Sequence, residues 1–179
     1  NSGSITAIAN AVGNGTYGTW GGAEGIEAYS IGNFVNSGNI TAIANAVGNG
    51  TSVHAWVDGV QAHSIGNFVN SGSITAIANA VGGDTEAEGV YVWDIGNFTN
   101  SGNIFVAANA TDGNAEAYGV WANATIGNSI GNFDNSGSIL ATATATGNNT
   151  EADAVGVRAG SIGNFTNKGT IEVYAQSRF

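Results

Sequence analysis

Cysteine, proline and methionine are absent from the 179 residues, and charged residues make up only 9% of the chain. Without cysteine there is no disulfide framework and no thiolate metal site. The three cationic residues, Arg158, Lys168 and Arg178, all lie near the C-terminal end, and the formal net charge is −10. Nucleic acids and anionic lipid surfaces are bound through clustered cations, so the composition argues against both as partners.

Long apolar runs are also absent, because no stretch approaches the roughly 20 residues that a helix needs to cross a membrane. The chain does not open on the charged and apolar segments of an export signal, and it lacks a starting methionine. We therefore expect a mature or excised segment without membrane insertion. Disorder is not expected, because apolar residues make up 42% of the chain.

One phrase is repeated along the whole sequence. Residues 30–47 and 64–81 differ at a single position, Asn39 against Ser73. The motif Asn-x-Gly followed by an apolar segment recurs at intervals of 30 to 35 residues, starting at Asn1, Asn36, Asn70, Asn100, Asn135 and Asn167. A period of this length indicates a solenoid, a propeller or a repeat array.

Strict alternation after each Asn-x-Gly favours strands over helices. In the second copy Ile40, Ala42, Ala44 and Ala46 fall on one face, and every other copy has the same frame. Small and branched residues at every second position are typical of a strand that faces a narrow interior. A variable loop and a second strand follow, with a glycine at its corner such as Gly59, and the third segment, Ile-Gly-Asn-Phe, returns the chain to the next copy.

The repeat therefore predicts an all-β fold: a right-handed parallel β-helix with three strands per coil, five full coils plus one strand, and about 30–35 residues per coil. We expect residues 1–179 to form a single domain whose coils start near residues 1, 36, 70, 100, 135 and 167, without recognisable caps. Equivalent side chains should stack from coil to coil. The predicted ring stack is Phe34, Phe68, Phe98, Phe133 and Phe165, and the predicted inward amide ladder is Asn36, Asn70, Asn100 and Asn135.

The run Phe-x-Asn-Ser-Gly-x-Ile-x-Ala-x-Ala, the variable loop and the later Ala-x-Gly-Ile resemble the β-solenoid passenger repeats of bacterial autotransporters and related surface adhesins. The resemblance covers essentially the whole chain. It implies an exported bacterial stalk or adhesin, located outside the cell or on its surface. The sequence contains no translocator barrel and no Arg-Gly-Asp motif.

An apolar outward face is the first candidate site. We name it the Ile/Val face, and it comprises Ile8, Ile43, Ile77, Val12, Val47 and Val81. Repeated outward Ile and Val predict contact with copies of the same chain, although β-propensity alone could select the same residues.

Aromatic residues beside the second strand are the second candidate site. Aromatic faces in a row can stack on sugar rings, but they can also simply pack on one another. The candidate glycan contacts are Trp20, Trp56, Trp93 and Trp121.

Acidic residues align at the corner of consecutive coils, at Glu24, Asp58 and Glu88. Opposed like charges are destabilising, and a Ca²⁺ ion would relieve the repulsion, so these three are weak calcium candidates; solvation outside the rod is the alternative. Carboxyl groups on adjacent coils would also have the spacing of a retaining glycosidase pair. Any acidic ladder has that spacing, His54 and His63 lack a nucleophile motif, and no metalloprotease or phosphate-binding motif occurs. We expect no enzymatic activity and no cofactor.

Taken together, these features predict a non-catalytic extracellular structural protein, either a β-solenoid stalk or a self-assembling fibre subunit used in surface adhesion or in matrix or biofilm architecture. Open strand edges recruit other chains, so we expect end-to-end or lateral association of copies. The alternative is a carbohydrate-binding adhesin module that uses its exposed aromatic residues.

Overall fold

A computed structural model describes residues 1–14, 18–49, 52–123 and 129–179. All regular structure in these ranges is β, and they contain no helix long and apolar enough to cross a membrane. In chain order the strands are β1 Ser4–Gly13, β2 Thr19–Asn36, β3 Asn39–Gly48, β4 Val53–Asn70, β5 Ser73–Val81, β6 Asp84–Asn100, β7 Asn103–Thr111, β8 Ala115–Ala122, β9 Ile130–Asn135, β10 Ser138–Thr146, β11 Ala152–Ala159, β12 Ile162–Asn167 and β13 Thr170–Arg178.

The strands form two parallel sheets that face each other across the interior. The first sheet has the order β1-β3-β5-β7-β10-β13, and the second has β2-β4-β6-β8-β11, with β9 beside β6 and β12 beside β9. Every pairing follows the repeat, so that Ile5 lies beside Ile40 and Ile40 beside Ile74. The predicted parallel β-solenoid of about five turns is confirmed, and its wind is consistent with a right-handed β-helix.

The second and third strands of each coil are joined differently from the prediction. In the first three coils they form one long strand that bends at a glycine, whereas β8 and β9, and β11 and β12, are separate elements. A side chain at the bend has no room: a Cβ on Gly59 would lie 2.5 Å from the carbonyl oxygen of Gly89 and 2.6 Å from Ile74 Cγ2. Glycine lets adjacent coils approach closely enough for the strand to continue through the corner.

The interior is narrow and filled by similar layers, in which some inward alanines are replaced by valine, as at Val106. The alternating residues of β3, Ile40, Ala42, Ala44 and Ala46, are fully buried, as their small volumes predict. The predicted ring stack is also confirmed, with centroids of successive phenylalanines 4.7–4.8 Å apart and ring planes within 10° of parallel. This spacing is the separation of hydrogen-bonded strands, so the backbone sets the distance between the rings.

The predicted inward amide ladder is present and extends beyond the expected four residues. The four predicted side chains are fully buried, and each donates from Nδ2 to Oδ1 of the next coil at 2.8 Å. Asn1 donates to Asn36 at 2.9 Å, and Asn135 donates to Asn167. In the described ranges, every buried side-chain nitrogen and oxygen has a hydrogen-bond partner.

Two further amide ladders lie on the outer surface. One is formed by the outward column Asn10, Asn45, Asn79 and Asn109, with bonds of 2.8–2.9 Å. The other, absent from the sequence prediction, has bonds of 2.6–2.8 Å and comprises Asn33, Asn67, Asn97, Asn132 and Asn164. The outer bonds donate towards the N-terminal coil, whereas the inner bonds donate towards the C-terminal coil, so the rod has a defined direction.

Candidate functional site

A groove runs along the outer side of the second sheet, at the bend of the long strands. The corner glycines shift the alternation by one residue, so the position just before each glycine lies in the concave angle of the bend. The register places Glu24 beside Asp58, Asp58 beside Glu88, and Glu88 beside Tyr118. The acidic residues aligned by the sequence analysis therefore form the floor of this groove.

The groove has a volume of about 390 Å³ and crosses four coils. We call it the aromatic–acidic groove. Its aromatic walls are Trp20, Trp56, Tyr91 and Trp121, and its polar lining is Glu24, Glu27, His54, Asp58, Gln61, Glu86 and Glu88. Three of the four predicted tryptophans and all three predicted acidic residues thus lie in one site, which the sequence analysis treated as two separate candidates.

Asp58 and Glu88 are buried although they face away from the core. Their exposed fractions are 6% and 4%. Burial raises the pKa of Asp58 to about 7, and burial together with the Asp58 charge raises the pKa of Glu88 to about 10. At neutral pH the pair therefore retains a proton, which the two carboxyl groups share in a hydrogen bond.

The neighbouring acidic residues add to the negative charge of the groove. Glu86 lies close enough to Glu88 to raise its pKa further by hydrogen bonding and by repulsion. Partial burial raises the pKa of Glu24, and the hydrogen bond and charge of Glu27 act in the same direction. Five carboxyl groups therefore share this surface.

An arginine closes the C-terminal end of the groove. The guanidinium carbon of Arg158 lies 4.9 Å from the ring centroid of Trp121 and 5.6 Å from that of Tyr118. Its Nη1 donates to the Tyr118 hydroxyl at 3.4 Å, and this hydroxyl donates to Glu116 at 2.8 Å. These distances are those of a cation–π contact.

The fourth predicted tryptophan, Trp93, lies in a second, smaller groove of about 290 Å³. The Tyr29 ring stacks on His63 at a centroid distance of 5.0 Å, and His63 lies 5.5 Å from Trp93. Trp93 lies two residues beyond Tyr91 on the same outer face of β6, so Tyr91 lines both grooves and Trp93 lines only the second. The cross-coil packing that the sequence analysis kept as an alternative describes this site.

No group of three or more His, Cys, Asp or Glu side chains within the described ranges has an arrangement that could hold a metal ion. The calcium expectation at Glu24, Asp58 and Glu88 therefore stays a prediction without a coordinating geometry. The shared proton between Asp58 and Glu88 relieves the repulsion that suggested a cation there.

The Ile/Val face lies on the outside of the first sheet as predicted. Ile8 pairs with Ile43 and Ile43 with Ile77, and the side chain of Ile8 is 59% exposed. In the next coil the register continues from Ile77 to Ala107. The Ile and Val columns are therefore confined to the first three coils, while the adjacent outward column of Thr6, Thr41 and Thr75 continues as Phe105 and Leu140.

The sequence prediction did not include several polar residues of the groove, among them Glu27, Gln61 and Glu86. The signal was available, because the second-strand frame around Val90 and Val120 also aligns the outward residue that follows each of them. That alignment places Tyr91 beside Trp121, as the register shows. The concavity itself could not be read from the repeat, because it depends on how far the strand bends.

The chain matches no protein-family model, no curated protein and no solved structure.

Proposed function

We propose that the protein is a non-catalytic structural solenoid of a bacterial cell surface or extracellular matrix, acting as an adhesin stalk or as the subunit of a fibre. The observation that carries this proposal is the continuity of the side-chain stacks. The ring stack and the inner amide ladder pass through every coil without interruption. A repeat in which each coil is held by its neighbours suits a long, straight rod.

The direction of the amide ladders supports ordered assembly. Inner bonds donate one way along the axis and outer bonds donate the other way. A head-to-tail joint would match the donor end of the inner ladder, Asn167, with its acceptor end, Asn1, whereas a joint between like ends would set donors against donors or acceptors against acceptors. Any end-to-end fibre of this chain therefore has a single polarity.

The Ile/Val face supports lateral association between copies. Replacing Ile8, Ile43 and Ile77 together by Lys should abolish such association, because three charges would have to be buried at the contact. Sedimentation equilibrium over a concentration series measures it, and the matched control replaces Thr6, Thr41 and Thr75, which are outward residues of the adjacent column, by Lys. A wild-type chain that is monomeric throughout, or a triple-Ile variant that associates as the wild type does, would reject lateral contact.

A second candidate function, carbohydrate binding, is favoured by the aromatic–acidic groove. Trp20, Trp56 and Trp121 are brought together from three coils beside carboxyl and amide groups that can accept and donate hydrogen bonds. Sugar rings combine an apolar face with polar edges, and a groove with aromatic walls and a polar floor is complementary to both. A stalk that also holds a polysaccharide would act as an adhesin.

A further inference from the structure

The charged side chains of the aromatic–acidic groove are all acidic. It contains five carboxyl groups, and no lysine or arginine occurs in the sequence before Arg158. Burying like charges side by side is unfavourable without a compensating cation. Asp58 and Glu88 compensate by retaining a proton, and a bound cation would do the same for the whole groove.

The C-terminal end of the groove shows how a cation is held on this surface. Arg158 lies directly after Trp121 in one column of the second sheet, in which Glu27, Gln61, Tyr91 and Trp121 come from successive coils. Its guanidinium lies over the Trp121 ring at 4.9 Å. In the preceding coils aromatic rings and carboxyl groups also line the groove together, but the described residues there include no lysine or arginine.

The spacing of the coils along the groove is close to the length of one unit of a linear polysaccharide. It crosses four coils, and coils in a parallel sheet are about 4.8 Å apart. One pyranose unit of a linear polysaccharide occupies a similar length, so each sugar would meet one coil. A single arginine or lysine side chain occupies only the space of two rings and one acceptor group, as Arg158 does at Trp121 and Tyr118, and would leave the rest of the groove empty.

We propose that the groove binds a linear polysaccharide of amino sugars with free ammonium groups, and that this polymer lies along the axis of the solenoid. The proposal rests on the candidate function of carbohydrate binding. The apolar faces of the rings pack against Trp20, Trp56 and Trp121. The ammonium groups face the carboxyl groups of the floor and take the place of the proton that Asp58 and Glu88 share.

The test uses three β-1,4-linked hexamers that differ only at carbon 2: glucosamine, N-acetylglucosamine and glucose. Isothermal titration calorimetry at about pH 6, where an aliphatic amine is charged, gives the three dissociation constants. We expect the glucosamine hexamer to bind at least about tenfold more tightly than the other two, with release of protons from the groove. Equal affinities for the three would overturn the ammonium inference and leave carbohydrate binding standing.

Failure of all three hexamers would overturn both the ammonium inference and the carbohydrate-binding candidate. Binding of a lysine- and arginine-rich peptide in their place would identify the groove as a peptide site, which also contradicts the proposal. The peptide is therefore titrated beside the sugars in the same experiment.

Two pairs of variants separate the aromatic and the charged contributions. Trp20→Ala should weaken binding of any hexamer that binds, while Tyr174→Ala, which removes a similarly exposed ring from the other sheet, should not; the two side chains are 65% and 61% exposed. Glu86→Gln should weaken binding of the glucosamine hexamer alone, so that its affinity approaches that of the other two hexamers. Glu172→Gln on β13 should leave the preference for the glucosamine hexamer unchanged. An equal loss for all three sugars in Glu86→Gln would overturn the assigned role of the charge.

Discussion

Asparagine is the residue on which the contact between coils depends most. In the inner ladder the amide of Asn70 accepts a hydrogen bond from Asn36 and donates to Asn100, both at 2.8 Å, in a fully buried position. In the outer ladder Asn67 makes the same two bonds, but it is exposed to solvent. Water can replace the lost partner only in the outer ladder, so burial decides the energetic weight of chemically identical bonds.

The variant Asn70→Ala should reduce the free energy of unfolding by about 2–4 kcal/mol, because it leaves a buried donor and a buried acceptor without partners. The matched variant Asn67→Ala, three residues earlier, should cost less than about 1 kcal/mol. Chemical denaturation of both variants measures the difference. Equal losses would show that the inner ladder has no special role.

The buried carboxyl groups of Glu88 and Asp58 should lower the free energy of unfolding as the pH rises. Their pKa values in the folded chain, about 10 and about 7, lie above the ordinary values of 4.5 and 3.8. The folded state therefore holds protons that the unfolded state releases, and unfolding becomes easier from about pH 4 upwards, through about pH 7 for Asp58 and about pH 10 for Glu88. Each proton contributes a slope of about 1.4 kcal/mol per pH unit.

Between pH 5 and pH 8 we expect the free energy of unfolding to fall by at least about 2 kcal/mol. Glu88→Gln should reduce this fall and raise the melting temperature at pH 8 more than at pH 5, because the amide needs no proton. Glu172→Gln makes the same side-chain change at an exposed position of the other sheet and controls for the loss of one carboxyl group. A wild-type chain whose stability is flat or rises over this range would contradict the assignment.

Glycines allow the backbones of neighbouring strands to approach closely at the corners of the coils. At the corner Ile-Gly-Asn-Phe, a Cβ on Gly66 would lie 2.5 Å from the carbonyl oxygen of Gly32 in the coil below, whereas a Cβ on Gly32 would meet no atom within 4 Å. The repeated glycine thus has a steric reason at Gly66, Gly96 and Gly131 that is missing at Gly32 in the first coil.

The variant Gly66→Ala should destabilise the protein by about 1–3 kcal/mol, because β2 and β4 must separate to admit the methyl group. Gly32→Ala, at the equivalent position, should stay within about 0.5 kcal/mol of the wild type. The midpoints of guanidinium unfolding compare the two. A neutral Gly66→Ala would mean that the coils are not packed as closely as this register requires.

The strands and their register could be predicted from the sequence, but the burial of two acidic residues could not. Period-2 alternation and the 30–35-residue repeat fix strands, register and the stacks of Phe34 and Asn36, because equivalent side chains in a solenoid must lie over one another. The burial of Asp58 and Glu88 could not be read, because an acidic residue in a strand pattern predicts an exposed position. The bend at the corner glycines reverses that expectation, and the bend is a property of the assembled sheet.

At the scale of the whole molecule, the two long faces of the rod differ in chemistry. The first sheet has the Ile/Val face in its first three coils, and the second sheet has the aromatic–acidic groove. A rod with one face for copies of itself and another for a polymer could both assemble and hold a matrix component. This division of roles follows from the proposals above and depends on the chain behaving as a straight, directional rod.

Negative-stain electron microscopy of the purified chain over a concentration series tests that claim most directly. We expect straight particles of a single width at every concentration, because the ring stack and the inner amide ladder hold each coil in register with the next. Filaments that lengthen with concentration would identify a fibre subunit, and discrete compact particles of constant size would identify a stalk segment. Irregular aggregates at all concentrations would contradict a structural role for the solenoid.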